Sequence, residues 1–190
     1  MTTPAELLDA LSEQIRACRL CKLGESRLNA VPGEGSAQAK VMFVGEAPGA
    51  DEDEQGRPFV GRAGKLLRKL IEHIELEEGE YFIGNVLKCR PPGNRDPETL
   101  EIEACKPWLF AQMAVIKPLV IVPLGRFAMT LLLGPKLQIG KVRGTVIERD
   151  GQVFMPTYHP AAILRSPRYQ KVIVADFEKL ARLILELEPC

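Results

Sequence analysis

Apolar runs with strong β preference alternate along this chain with stretches whose apolar residues recur at helical spacing. Val41-Met42-Phe43-Val44 is the clearest run, and it leads straight into Gly45-Glu46-Ala47-Pro48-Gly49. A strand buried on both faces reads as such an unbroken run, and the Gly and Pro mark the loop at its carboxyl end. Tyr81-Phe82-Ile83-Gly84-Asn85-Val86-Leu87 and Leu119-Val120-Ile121-Val122-Pro123-Leu124-Gly125 predict two more strands. A hairpin signal, Thr145 to Arg149 and Gln152 to Met155 about the turn Asp150-Gly151, feeds the last strand, expected to end at Thr157-Tyr158-His159-Pro160.

The helical stretches lie between these runs. Thr3-Pro4-Ala5-Glu6 reads as a capping box with Pro4 at the first helical position, followed by Leu7, Leu8, Leu11 and Ile15. Residues 22–40 read as loop, broken by Pro32-Gly33-Glu34-Gly35. A helix over 64–75 carries Leu66, Leu67, Leu70, Ile71 and Ile74 on one side, with His73 expected at the surface. Asp96-Pro97 should start another, which passes Cys105 and must kink or restart at Pro107, with Trp108 in the core. A helix through Phe127, Met129, Leu131 and Leu132, a short one over 161–165, and a closing one over 171–187 complete the pattern. The last turns Val172, Phe177, Leu180, Ile184 and Leu187 inward. Strands alternating with helices argue for right-handed βαβ units and a parallel sheet.

A length of 190 residues with 46% apolar and 26% charged residues fits one globular domain spanning 1–190. No apolar run approaches a membrane span, and the N-terminus lacks a basic region followed by an apolar stretch. The protein is therefore expected in the cytoplasm, without a membrane. Twenty-five basic and 25 acidic residues cancel, so only a local patch could support nucleic-acid binding. Lys88, Arg90, Arg95, Lys141, Arg143, Arg165 and Arg168 fall in loops expected to share the strand-end face, where they would offer phosphate contacts.

Candidate chemistry collects on the same face, because ligands of open α/β sheets bind outside the carboxyl ends of the strands. Glu46 stands one residue past the first strand, Asn85 near the end of the second, and His159 past the last. A buried amide at Asn85 would be either a structural tie or a ligand reader. Phe59, in the loop Pro58-Phe59-Val60-Gly61, is either tucked under that loop or offered to a ligand, and the acidic run before it reads as solvated. The five cysteines are an odd number, and a reducing compartment favours a metal site over disulfides. Cys18, Cys21, Cys89 and Cys105 suit tetrahedral zinc or an iron–sulfur cluster, and spacing does not choose between them. Cys190 reads as a free surface thiol.

Several of these segments together carry a resemblance. They are Gly45-Glu46-Ala47-Pro48-Gly49, Gly56-Arg57-Pro58-Phe59-Val60-Gly61, Asn85, Lys88-Cys89-Arg90-Pro91-Pro92, Val122-Pro123-Leu124-Gly125, Lys141-Val142-Arg143-Gly144 and His159-Pro160. From Cys18 to about Asp176 the chain resembles the family 4 uracil-DNA glycosylases, the thermostable-type, iron–sulfur branch of their superfamily. The resemblance implies a three-layer α/β/α fold with a short central, mainly parallel four-stranded sheet. It also implies a [4Fe-4S] cluster on Cys18, Cys21, Cys89 and Cys105, and a monomer that acts on uracil-containing DNA, single- or double-stranded.

The implied activity is extrusion of uracil from DNA and hydrolysis of its N-glycosidic bond, leaving an abasic site for base excision repair. Glu46 and His159 would be catalytic: His159 donates to uracil O2, and Glu46 positions a water or offsets the oxocarbenium charge. Gly45, Ala47, Glu52, Phe59 and Asn85 would bind the base, with Phe59 stacking, Asn85 reading its Watson–Crick edge and Glu52 crowding C5 against thymine. Arg143, Leu164 and Arg165 would contact DNA, the last two as a wedge in the vacated duplex. The inserted histidine segment with which a related branch bonds covalently to the abasic sugar is absent after Arg143-Gly144, so ordinary hydrolysis is expected. A non-catalytic iron–sulfur or zinc nucleic-acid-binding module is the competing reading. It leaves Glu46 and His159 unexplained, while a nucleotide-binding hydrolase would need a Walker A or GxGxxG pattern that is absent.

Overall fold

The structure is a computed structural model and describes residues 2–188. In chain order the elements are α1 (Pro4–Ala17), α2 (Leu23–Ser26), β1 (Glu34–Gly35), β2 (Val41–Gly45), α3 (Ala50–Gln55), α4 (Arg62–His73) and β3 (Tyr81–Asn85). Then follow α5 (Thr99–Ile116), β4 (Val120–Pro123), α6 (Arg126–Leu133), α7 (Ile139–Val142), β5 (Ile147–Arg149), β6 (Gln152–Phe154), α8 (Ala161–Arg165) and α9 (Tyr169–Leu187).

The sheet order is β1-β3-β2-β4-β6-β5. Its centre, β3-β2-β4-β6, is parallel, as the apolar runs predict. The expected four strands are flanked by two antiparallel edge strands, so the sheet is six-stranded and mixed. Each edge strand is two or three residues long. Such short strands cap edges that would otherwise present unpaired backbone.

Alternation along β2 makes the layers, because successive side chains of a strand point to opposite faces. Met42 and Val44 pack with Leu8 of α1, Leu109 of α5 and Met129 of α6. Val41 and Phe43 pack on the other face with Leu67 and Ile71 of α4 and with Ile173, Phe177 and Leu180 of α9. Phe43 and Phe177 stack at 5.8 Å. This is the expected α/β/α arrangement.

Several local expectations are corrected. The stretch 22–40 contains α2 and β1. The acidic run forms α3, where buried Asp53 accepts the backbone N–H groups of Leu28 and Asn29. Helix α5 begins at Thr99, capped by Glu98 and Glu101, and continues through Pro107. Pro107 and Glu103 are both exposed, so water can serve the carbonyl that the missing N–H leaves free. Trp108 is only partly buried, and Ile173 rather than Val172 enters the core. Cys190 lies outside the described residues.

Candidate active site and thiol pocket

The last strand ends at Phe154, earlier than expected, and His159 is reached by an extension. Thr157 forms an isolated parallel bridge to Leu124, and its carbonyl accepts the Gly125 N–H at 2.8 Å. Buried Asp176 of α9 fixes this ledge: its Oδ2 accepts the Thr157 hydroxyl at 2.6 Å and its Oδ1 accepts Arg143 Nη1 at 2.8 Å. His159 follows two residues later.

Glu46, Ala47, Glu52, Phe59, Asn85, His159 and Arg165 line one cleft of about 520 Å³ at the carboxyl ends of the strands. Gly45 does not line it but lies buried beneath, paired in register with Asn85. A Cβ at Gly45 would collide with Asn85 Oδ1 and the Phe59 ring, so only glycine lets the three approach. Phe59 itself has φ 52°, a left-handed conformation unusual for an aromatic residue. Two neighbours impose it. A Cβ at Gly64 would overlap the Phe59 carbonyl, and Glu52 Oε1 accepts the N–H groups of Val60 (2.9 Å) and Gly61 (2.8 Å). Glu52 Oε2 takes the Gly49 N–H at 3.0 Å. Both Glu52 oxygens thus serve the backbone, so this residue ties the loop that carries Phe59 while still lining the cleft.

Asn85 is 2% exposed, and its Oδ1 has no hydrogen-bond partner among the described residues. An amide oxygen buried without a partner is costly unless a ligand completes it. The His159 ring lies 5.5 Å from that of Phe59 at 25°. Its Nδ1 accepts the Ala161 N–H at 3.1 Å, which leaves the ring proton on Nε2. Burial, aided by the nearby Arg165 charge, pulls the imidazole down to about 4, so it is neutral at neutral pH. Burial raises the Glu46 carboxyl above its ordinary value; Asp96 adds to this, and Arg126 and Arg165 oppose it.

The expected basic patch is thinner than the sequence suggests. Lys88 is 1% exposed, with Nζ donating to the Asn85 carbonyl (2.9 Å) and to Gln112 Oε1 (2.7 Å). Arg95 is held by both oxygens of Glu101, Arg90 by Asn94, and Arg143 by Asp176 beside the Tyr158 ring. Lys141, Arg165 and Arg168 remain exposed, as does Leu164 on α8. Neither Leu164 nor Arg143 is among the residues lining the cleft. Sequence reasoning missed Gln112, Asp176 and Thr157, whose partners are distant in the chain. It also missed Arg126, although that residue sits one position beyond the Leu124-Gly125 motif.

The four cysteines gather elsewhere. Cys18 caps α1, Cys21 precedes α2, Cys89 follows β3 and Cys105 sits on α5; all four are free and line one small apolar pocket with Ile15 and Trp108. Cys89 Sγ accepts Arg27 Nη1 at 2.8 Å, and Cys105 Sγ accepts the Lys88 backbone N–H at 3.2 Å. Burial pushes the Cys89 thiol up, and pushes that of Cys105 up to about 11. Trp108 Nε1 is buried without a partner among the described residues. Among those residues no three His, Cys, Asp or Glu side chains converge as a site for a single metal ion.

Comparison with known proteins places the chain in a family. The family model described as the uracil DNA glycosylase superfamily matches residues 32–181. The chain is 48% identical over 188 residues to the Type-4 uracil-DNA glycosylase of Sulfurisphaera tokodaii, covering 94% of this chain and 85% of that one. It is 48% identical over 182 residues to that of Saccharolobus solfataricus, covering 91% and 84%. With that of Archaeoglobus fulgidus it shares 43% over 192 residues, covering 97% and 96%. The chain therefore belongs to the uracil-DNA glycosylase superfamily, within its Type-4 family.

Proposed function

We propose that this chain, which excises uracil from DNA as a base excision repair glycosylase, divides the work of its cleft between the two fragments of the breaking bond. As the N-glycosidic bond cleaves, its electron pair leaves with uracil and the sugar becomes an oxocarbenium ion. On the base side, His159 donates from Nε2 to uracil O2 as negative charge develops there. On the sugar side, the Glu46 carboxylate offsets the positive charge and holds the water whose oxygen bonds to C1′. A carboxyl raised by burial is suited to taking that water's proton. Phe59 supplies the face on which the flipped base stacks, and Asn85 the amide that pairs with its edge. Leu164 and Arg165, exposed on α8 beside His159, enter the duplex where the base has left.

The observation that carries this reading is the hydrogen bond from the Ala161 N–H to His159 Nδ1, which assigns the ring proton to Nε2. A neutral ring with Nδ1 already engaged has one donor to offer, and it lines the cleft that contains Glu46 and the unpartnered Asn85 oxygen. A non-catalytic binding module has no need of that combination. The test is an oligonucleotide with one uracil, incubated with the protein and then treated with alkali to cleave abasic sites. Scission at the uracil is expected, and binding without scission would return the module reading.

Cys18, Cys21, Cys89 and Cys105 would hold a [4Fe-4S] cluster. Four free thiols line one small apolar pocket, the ligand number and type such a cluster takes, and membership of the Type-4 family favours it over a lone zinc. The N–H donors from Arg27 and Lys88 would stabilise the thiolates such a group requires. Such a group would join the end of α1, the loop after β3 and α5. We further read the chain as one domain over 1–190 that works as a monomer in the cytoplasm. Free cysteines suit a reducing compartment, and among the described residues no helix is long and apolar enough to cross a membrane.

A further inference from the structure

Lys88 is a buried cation that the chemistry above leaves unused. It is 1% exposed, and its ammonium is met by two neutral oxygens, the Asn85 carbonyl at 2.9 Å and Gln112 Oε1 at 2.7 Å. Gln112 is 0% exposed and is itself fixed, donating from Nε2 to the Pro32 carbonyl at 2.8 Å. Burying an ammonium against neutral acceptors is expensive, and an apolar residue of similar length would fill the space at less cost. The arrangement therefore calls for a task that donors at this point perform.

The edge of the sheet supplies that task. Strand β1 pairs with β3 at Phe82 and Ile83 and stops there. Alternate residues of a strand direct their carbonyls to the same side, so Asn85 O faces the β1 side where β1 no longer reaches. A buried carbonyl needs a partner, and Lys88 Nζ takes the place of the missing strand. The backbone of Lys88 is equally committed: its N–H donates to Cys105 Sγ at 3.2 Å, and its carbonyl accepts the Val31 N–H at 2.7 Å. One residue thus grips the terminal carbonyl of the base-reading strand with its side chain and a thiol of the cysteine pocket with its backbone.

We propose that Lys88 is a positioning residue that holds Asn85 in register for reading the base and ties that register to the thiol pocket. The inference rests on Asn85 being the base reader. Lys88 touches neither substrate nor reacting atoms and acts only through Asn85. Backbone bonds from Val86 and Leu87 to Gly45 and Glu46 hold the β2 side of this segment, and without the Lys88 grip the Asn85 peptide loses its tie on the other side, where the amide can tilt relative to the Phe59 ring. Displacements of about 1 Å in a substrate-positioning group can cost on the order of 10²-fold in rate.

The test compares Lys88→Met, Asn85→Ala and the double variant in cysteine-intact protein. Lys88→Met keeps the aliphatic stem and removes the donors. We expect it to retain iron content per chain and far-UV spectrum, to slow single-turnover uracil excision by roughly 10- to 100-fold, and to weaken inhibition by free uracil by a similar factor. The double variant should be no slower than Asn85→Ala, because residues acting through one another are not additive. Rates that multiply, an unchanged rate in Lys88→Met, or unchanged inhibition by free uracil would each overturn the proposal. Full activity in Asn85→Ala would instead remove the assignment of Asn85 itself, a separate failure. Should Lys88→Met prove insoluble, Gln112→Met removes one of its acceptors more gently. It should show the same non-additivity with Asn85→Ala on a smaller loss, and additivity there would refute the idea.

Discussion

The end of β3 and the loop that follows serve two sites of opposite character, with Asn85 facing one and Cys89, four residues on, facing the other. The thiol pocket is small and apolar, and two of its sulfurs already accept N–H donors. The base cleft is about 520 Å³ and keeps a buried amide oxygen with no partner among the described residues. A group held for the lifetime of the protein can have its ligands satisfied and braced in advance. A base that enters and leaves must find hydrogen bonds still unmade, and each buried unmade bond costs about 1–3 kcal/mol. The thiol pocket is accordingly where substitution should damage folding, and the cleft is where it should damage chemistry.

The largest expected break is on the folding side. Cys89→Ser should remove the brown colour and broad visible absorbance expected of aerobically purified protein, and lower soluble yield, since metal binding and folding are coupled. A colourless, active protein carrying one zinc would refute the cluster while leaving the enzyme intact. On the cleft side, His159→Ala should slow single-turnover excision by about 10²- to 10³-fold, the usual cost of one oxyanion-type donor. DNA affinity and melting temperature should barely change. A fall in binding with unchanged chemistry would make His159 structural and dissolve the contrast between the two sites.

Asp176 lies between these extremes, and its expected effect is smaller. It is 0% exposed and holds both Thr157, on the ledge before His159, and Arg143. Arg143 is partly exposed and burial raises the Asp176 carboxyl, so the loss is chiefly that of its hydrogen bonds. Asp176→Ala should lower unfolding free energy by about 1–3 kcal/mol, and slow excision less than His159→Ala does. Chemical denaturation and single-turnover rates on the same sample check both parts. A rate loss equal to that of His159→Ala at unchanged stability would place Asp176 in the catalytic machinery.

Features set by neighbours in the chain were legible in the sequence, and features set by distant partners were not. The parallel centre of the sheet, Glu46 at the end of β2 and Asn85 at the end of β3 follow from apolar runs closed by Gly, Pro or a polar residue, a local pattern. β1 is two residues without apolar periodicity, and it exists because β3 offers an edge. Lys88 and Arg143 read as phosphate contacts because their partners, Gln112 and Asp176, lie on helices much later in the chain. Glu52 illustrates the same limit. Its position in the motif suggests the base, and the structure adds a second task that the motif does not show, tying backbone N–H groups eight and nine residues ahead.

The smallest prediction uses the charge of Arg165, which depresses both His159 and Glu46. The two groups respond to acid with opposite signs. A histidine held at about 4 in the folded state, against an ordinary 6.5, is neutral in both states above 6.5. As pH falls from 6.5 towards 4 the unfolded chain takes the proton first, so this group withdraws stability. Glu46, raised in the fold, binds its proton more readily when folded, and it returns stability as pH falls through its folded value. Catalysis needs His159 neutral and Glu46 ionised, so the acidic limb of excision should follow Glu46, whose ordinary value of 4.5 is raised, rather than His159. Arg165→Gln removes a charge that lowers both, and the limb should move to higher pH. Because Arg165 is exposed, that displacement should shrink as salt shortens the screening length from about 10 Å at 0.1 M towards 3 Å at 1 M. An acidic limb that persists unchanged in Glu46→Gln would mean that another group, His159 first, sets it, and a limb that stays in place in Arg165→Gln would mean that the cleft does not sense this charge.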